Sequence, residues 1–391
     1  MKVLHITTTD FGGAFRAAYN ICEAMKRQGI ESSLLVRESR GKEDVISATK
    51  SPMSLLLSKT RNFINLKLSE GDVINDRLGY PFYRHPLVKE ADIIVLHWVN
   101  SFISYRGVEK LLATGKPIIW VMHDMWLFTG GCHYDGECGQ YEEECRECPL
   151  LSGRKNFTKR LLERKRKMLS SGNFAVVGCS EWITQCAKRS TILRTKQCVC
   201  IPNPVDTKIY FKKERERSLS DQKVILFGAM ILADQRKGLD LLMEAFQYLP
   251  SNQYVLHIVG EADQNLFYDM EFEYHFWGRI DSQDKMADIY NQADVYVIPS
   301  RQENLSNSVT EAMACGVPVA AFDIGGMCDM IKHRENGYLA EPFDCKELAQ
   351  GIQYCINHHD TLSEKAREMV QNKFSMEVVG TQYKEFMGSM Q

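Results

Sequence analysis

The chain has 391 residues, 44% of them hydrophobic and 25% charged, with a formal net charge of −2. That length exceeds one ordinary core and suits two domains, the composition excludes a disordered chain, and the near-neutral balance gives no overall attraction to nucleic acid. No apolar run reaches the ~18 residues of a membrane span, the start Met1-Lys2-Val3-Leu4-His5-Ile6 lacks a leader pattern, and thirteen cysteines, mostly set singly in apolar segments, suit a reducing cytoplasm.

In chain order, a strand is predicted over residues 3–7, then a turn with Gly12-Gly13, then a helix whose Ala17, Ala18, Ile21, Cys22 and Met25 recur at helical spacing. Gly29 stops it, and residues 31–36 return as a strand. This βαβ unit implies a parallel sheet. Apolar runs at 93–97, 117–122, 175–178 and 199–201 read as further buried strands. The second half repeats the alternation, with strands at 224–228, 254–260, 294–299 and 317–322 and helices at 238–248, 284–291 and 307–315. Residues 344–390 read as helices with loops. Between the halves, Pro202 and Pro204 stiffen the chain and exclude helix. The expected fold class is α/β, with two Rossmann-like doubly wound domains facing a central cleft. Ligands of such sheets bind beyond the carboxyl ends of the strands.

The segment from Pro299 to Val319 carries the sharpest signal. Glu303 stands in a loop after a strand and Glu311 lies eight positions on, within a helix, followed by Ala312-Met313-Ala314-Cys315-Gly316-Val317-Pro318. It closely resembles the signature of glycosyltransferase family 4, retaining enzymes of the GT-B fold. Gly12-Gly13-Ala14, His123-Asp124, the linker at 201–206, Arg236-Lys237-Gly238, the run at 290–295 and Gly325-Gly326 support it in the family's order. Residues 123–149 are similar to a branch that builds bacterial surface polysaccharides. The resemblance implies an N-terminal acceptor-side domain at 1–203 with a cysteine-rich loop at 130–151. It also implies a nucleotide-sugar-binding domain at 204–371 and a last helix at 372–391 crossing back to the first domain.

A nucleotide-sugar donor leaves behind a diphosphate whose charge must be neutralised. No two aspartates here are separated by one residue, so a metal held by an Asp-x-Asp pair is not expected and no catalytic cofactor is required. The alternative is a helix N-terminus with fixed cations. Asn304, Leu305, Ser306 and Asn307 open the helix, with Ser306 or Asn307 as its cap, and Arg236 and Lys237 are the candidate cations. Many family members carry arginine directly after the glycine at position 228; this chain has Ala229 and a longer loop, and Arg236 is the candidate replacement. Cations at a helix start oppose its dipole, so an anion nearby is expected. Glu303 is assigned to electrostatic support of the sugar, and the resemblance gives Glu311 the nucleotide's ribose hydroxyls. Glu303 as a solvated loop carboxylate and Glu311 as a surface residue are the plainer readings.

The resemblance places His123 beside the donor sugar as the second catalytic residue, against the plainer reading of a capping or buried histidine. Gly13 lets the backbone approach a phosphate or acceptor closely. Cys132, Cys138, Cys145 and Cys148 lie within seventeen residues, and structural zinc, disulfides and unlinked thiols remain open for them. Residues 154–167 hold eight Lys/Arg and one acidic residue. The stretch 154–168 reads either as a solvated helix with its apolar edge on the core or as a peripheral membrane contact. The partners expected are a UDP- or GDP-linked sugar and a saccharide or polyprenyl-linked acceptor, for a cytoplasmic enzyme at the inner face of the membrane. A nucleotide-sugar-binding module without transfer activity and a nucleotide-sugar epimerase are the competing functions.

Overall fold

The computed structural model describes residues 1–42, 44–49, 51–151, 156–170, 172–214, 222–250, 252–263 and 272–390. The chain divides into two compact units, Met1–Pro202 with Val379–Gln391, and Asn203–Val378. No helix among the described residues is long and apolar enough to cross a membrane.

The first unit holds strands β1 (Lys2–Ile6), β2 (Glu31–Val36), β3 (Val45–Ser47), β4 (Ile93–Leu96), β5 (Ile118–Met122), β6 (Phe174–Gly178) and β7 (Cys198–Cys200). All pair parallel, in the order β3-β2-β1-β4-β5-β6-β7. Its helices are α1 (Gly13–Arg27), α2 (Pro52–Leu68), α3 (Pro86–Glu90), α4 (Tyr105–Leu112), α5 (Phe157–Met168) and α6 (Glu181–Arg189). Successive strand residues point to opposite faces, and both faces are covered. Leu4, Ile6, Ile94, Leu96, Ile118 and Trp120 pack against α3 to α6. Val3, Ile93, Val95, Ile119 and Val121 pack against Ile21 and Met25 of α1 and against Val379, Tyr383 and Phe386 near the C-terminus. That two-sided burial is why the central strands read as continuous apolar runs.

The second unit holds β8 (Lys223–Ile231), β9 (Tyr254–Glu261), β10 (Tyr274–Gly278), β11 (Val295–Ile298), β12 (Val319–Phe322) and β13 (Gly337–Ala340). They are parallel and ordered β10-β9-β8-β11-β12-β13. Helices α7 (Leu239–Phe246), α8 (Gln283–Gln292), α9 (Asn307–Ala314), α10 (Met327–Met330), α11 (Cys345–Asn357) and α12 (His359–Met369) accompany them. Ile225, Phe227, Leu256, Val295 and Val297 face α7 and α11. The alternate residue Tyr296 faces α9, where its hydroxyl donates to Ser308 Oγ at 2.9 Å. The last helix, α13 (Met376–Gly388), belongs from Val379 onward to the first unit.

In each sheet the order reverses between the first and fourth strands of the unit, β1/β4 and β8/β11. Such a reversal opens a crevice beyond the carboxyl ends of the two strands. The loops after these strands carry most of the residues singled out from the sequence.

Candidate active site

In the second unit, β8 runs three residues past its predicted end, to Ile231, and its chain continues through a tight turn at Asp234–Lys237. Asp234 caps that turn by accepting from the Arg236 backbone N–H at 3.0 Å. Gly238 follows at φ 71°, and a Cβ there would lie 1.9 Å from the Pro299 carbonyl oxygen. Only glycine therefore lets the turn after β8 lie against the loop after β11. Gly325 does the same from the far side: at φ 52°, its Cβ would meet the Glu303 carbonyl oxygen at 1.9 Å.

Held between these glycines, Glu303 is 7% exposed. Its Oε2 accepts from Lys237 Nζ at 2.5 Å and lies 3.7 Å from Arg236 Nη1. Burial pushes the carboxyl upward, but Lys237, Arg236 and the Asn304 backbone N–H outweigh it and hold it below the ordinary carboxylate range. Arg236 also donates to the Gln302 carbonyl at 3.1 Å and pairs with Asp234 at 3.2 Å. Asp234 and Glu303 are thus the anions that two cations at the start of α7 require.

Asn304, Leu305 and Ser306 are buried beside Glu303 and lead into α9. Ser306 occupies the N-cap, yet its hydroxyl meets Ser308 Oγ at 2.8 Å and makes no cap hydrogen bond to the turn. The first turn of α9 keeps the partial positive charge of a helix start. Asn307 Oδ1 accepts from Asn203 at 3.2 Å. One turn on, Glu311 is 8% exposed and accepts from Tyr290 Oη at 3.2 Å. Neither glutamate is a solvated surface carboxylate. Asp234 was not singled out from the sequence, although it stands two residues before Arg236; Tyr290 opens the run at 290–295 noted for the family resemblance, but no site role was assigned to it.

In the first unit, Gly12 (φ 86°) is the N-cap of α1 and Gly13 its first residue. His5 on β1 and His97 after β4, both buried, and the partly exposed His123 after β5 form a file. His5 Nδ1 meets His97 Nε2 at 3.0 Å and His97 Nδ1 meets His123 Nε2 at 3.1 Å. Adjacent rings stack at 5.3 Å. Burial drives His5 down to about 3, His97 well below its ordinary value and His123 down to about 4, so all three are neutral at neutral pH. A small cavity opens here, lined by His97, Trp98, Asn100, Met122, His123 and Asp124. Asp124 accepts from His133 Nδ1 at 2.6 Å and from the Trp126 backbone N–H at 2.8 Å.

All four loop cysteines are free thiols, with Cys132 and Cys145 buried. Burial raises Cys132 to about 12 and Cys145 to about 11. Among the described residues, no three or more His, Cys, Asp or Glu side chains gather as metal ligands. In the basic stretch, Arg154 and Lys155 lie outside the described residues. Within α5, the apolar stripe of Leu161, Leu162 and Met168 is buried, and Arg160, Arg164, Arg166 and Lys167 are exposed. Trp120 and Trp126 are core residues.

Two parallel sheets of this order, each with its loops gathered at the β1/β4-type reversal, define a two-domain GT-B architecture. Residues 11–209 match the sequence model for Glycosyltransferase Family 4, and residues 221–358 that for Glycosyl transferases group 1. The chain belongs to glycosyltransferase family 4 and is a glycosyltransferase. It is 28% identical over 383 residues to an uncharacterized glycosyltransferase of Haemophilus influenzae, covering 92% of this chain and 91% of the relative. It is 23% identical over 404 residues to the lipopolysaccharide core biosynthesis glycosyltransferase LpsE of Rhizobium meliloti, covering 100% and 99%. Among solved structures, Anabaena Alr3699/HepE in complex with UDP-glucose superimposes with a TM-score of 0.67 at 16% identity, covering 100% of both chains.

Proposed function

We propose that this enzyme transfers a hexosyl group, with retention of anomeric configuration, from a nucleotide sugar to a saccharide or lipid-linked oligosaccharide acceptor in bacterial surface-polysaccharide synthesis. The observation that carries the donor assignment is the buried Glu303, ion-paired to Lys237 and Arg236, immediately ahead of a helix start whose N-cap Ser306 makes no cap hydrogen bond with its side chain. Backbone N–H groups of α9 and the two cations receive the diphosphate. Glu311, oriented by Tyr290, accepts from the ribose hydroxyls. Glu303 accepts from sugar hydroxyls and favours the positive charge that develops at the anomeric carbon. The anomeric carbon–phosphate oxygen bond breaks, a bond to the acceptor oxygen forms on the same face, and the acceptor proton passes to the departing phosphate. No covalent glycosyl–enzyme is needed. From the first unit, Gly13 and neutral His123 are assigned to the donor. UDP as the nucleotide is supported by the UDP-glucose complex of Alr3699/HepE, and the pathway by LpsE.

The test is a panel of UDP- and GDP-sugars, with binding read by thermal shift and turnover by released nucleotide. Binding is expected with chelator present. Glu303→Ala should lower turnover by about two to three powers of ten, the scale on which one preorganised electrostatic group acts, with the fold intact by circular dichroism. Near-normal turnover in that variant, or loss of donor binding in chelator, would overturn the assignment.

The cysteine loop is proposed as a structural zinc site. Four thiolates suit tetrahedral zinc. Metal analysis of the purified protein should find zinc that is released when the thiols are titrated with a mercurial.

A further inference from the structure

Strand β11 is apolar at every position but one. Val295, Val297 and Ile298 need only packing, whereas Tyr296 brings a hydroxyl into the same buried layer. Successive strand residues alternate in direction, so Val295 and Val297 join the cluster with α7 and α11, and Tyr296 faces α9. Its ring is fully buried and stands edge-on to Tyr290 at 5.7 Å. A hydroxyl carried that deep needs hydrogen-bond partners. Tyr296 Oη has two, Ser308 Oγ at 2.9 Å and the Gly228 carbonyl oxygen at 3.3 Å. Ser308 Oγ in turn meets Ser306 Oγ at 2.8 Å. The hydroxyls of Tyr296, Ser308 and Ser306 thus run in a row from the sheet to the N-cap of α9.

The protons in this row have a direction. Tyr296 holds one proton and faces two acceptors. A phenol is a stronger donor than an alkyl hydroxyl, and the 2.9 Å contact to Ser308 is the better hydrogen-bond length, so the proton goes to Ser308. Burial raises the phenol, which keeps that proton at any working pH. Ser308, accepting from Tyr296, donates to Ser306. Ser306 accepts from Ser308 and keeps its own proton for a further acceptor. The same order accounts for the cap. An N-cap serine ordinarily accepts from an N–H of the first turn. Ser306 makes no such bond with its side chain, because its oxygen is drawn to Ser308. A cap serine diverted in this way presents a hydroxyl proton to an anion, beside the partial positive charge of the helix start.

We propose that Tyr296 and Ser308 are positioning residues that aim the Ser306 hydroxyl at the nucleotide, where it donates to a diphosphate oxygen. This rests on the reading of α9 as the diphosphate site and adds the means by which β11 sets that contact.

Calorimetric titration of the full chain with UDP and with uridine separates a phosphate contact from a loss of packing. GDP and guanosine take their place if the nucleotide-sugar panel selects guanosine. The parent should bind the diphosphate more tightly than the nucleoside. Ser306→Ala should weaken the diphosphate about tenfold, as loss of one charge-assisted hydrogen bond does. Tyr296→Phe keeps the ring and should weaken it about fivefold, with nucleoside affinity in both variants within about twofold of the parent. Tyr296→Phe/Ser306→Ala should bind no more weakly than Ser306→Ala alone, because the phenol acts only through the serine. Equal weakening of diphosphate and nucleoside in Tyr296→Phe would make the tyrosine a packing residue and overturn the assignment. Unchanged diphosphate affinity in either single variant, or additive losses in the double one, would overturn it too. If the parent holds the nucleoside as tightly as the diphosphate, the donor reading itself fails, and this assignment with it.

Discussion

Three neutral imidazoles in a row leave two ways to place their protons, because each ring-to-ring hydrogen bond needs one donor and one acceptor. The far end decides. His5 Nε2 is buried with no hydrogen-bond partner among the described residues, and an orphaned lone pair is tolerated better than an orphaned N–H. His5 therefore donates from Nδ1 to His97, His97 donates from Nδ1 to His123 Nε2, and His123 keeps its own proton on Nδ1. Nitrogen-15 spectra of histidine-labelled protein should show His123 as the Nδ1–H tautomer at neutral pH. His97→Phe keeps an aromatic ring in the file but removes both bonds. It should lower kcat about tenfold, the scale on which outer partners of functional imidazoles act, with little change in the donor KM. His97→Gln, which has a donor and an acceptor, should recover part of the loss. Unchanged kcat in His97→Phe would leave the file without a part in turnover. His123 was legible because it follows a strand end. His97 also closes a predicted strand and His5 lies within one, but the order that puts β1, β4 and β5 side by side is a property of the sheet and not of any local segment.

At the level of elements, α5 is tied to the loop after β5 by one buried lysine. Lys165 Nζ donates to the carbonyls of Trp126 and Thr129 and lies over the Trp126 ring. Lys165→Ala leaves two buried carbonyls without a donor and opens a cavity, which should cost about 2–4 kcal/mol, whereas exposed Lys167→Ala should fall within about 0.5 kcal/mol of the parent. Burial lowers the Lys165 ammonium to about 7. The unfolded chain thus holds this proton, and the folded one does not, between about 7 and the ordinary lysine value near ~10.4. Stability from this side chain should rise with pH across that window, so denaturant titrations of the parent and Lys165→Ala should diverge as pH is raised. A constant difference would show that the buried amine does not titrate there. The same packing explains what the sequence hid. Buried strands announce themselves: a strand was expected at 93–97 and Ile93–Leu96 is found, buried throughout, because a strand covered on both faces must be apolar. Helix α2 was not read as an element: its buried positions are the polar Ser58 and Asn65, while Leu56, Leu57, Phe63 and Leu66 are exposed, so its apolar residues mark no core-facing side. The edge strand β10, partly exposed, and the four-residue β13 are too weakly patterned to stand out.

Across the whole molecule, the chain's end is structural material for its beginning. Val379, Tyr383, Phe386 and Met387 of α13 are buried in the same cluster as Val3, Ile21 and Met25. Gly380 packs so closely on α1 that a Cβ would stand 2.6 Å from the Ala24 carbonyl oxygen. One face of the first sheet is therefore completed only after the second unit has been made, although the second unit's own cluster, built from β8 to β13 with α7 and α11, needs nothing from that segment. The two units should respond differently to damage at the C-terminus. Tyr383 is fully buried, and Tyr383→Ala should cost about 3–5 kcal/mol, as large-to-small changes of aromatic core residues do. Hydrogen exchange should show the loss over β1, α1, β4 and β5, while β8, β9, β11 and α9 keep their protection and a nucleotide sugar still protects the loop at 299–306. Equal loss over both sheets would mean that the units unfold as one body, and that the returning helix is a cross-link for the whole chain and not a private part of the first core.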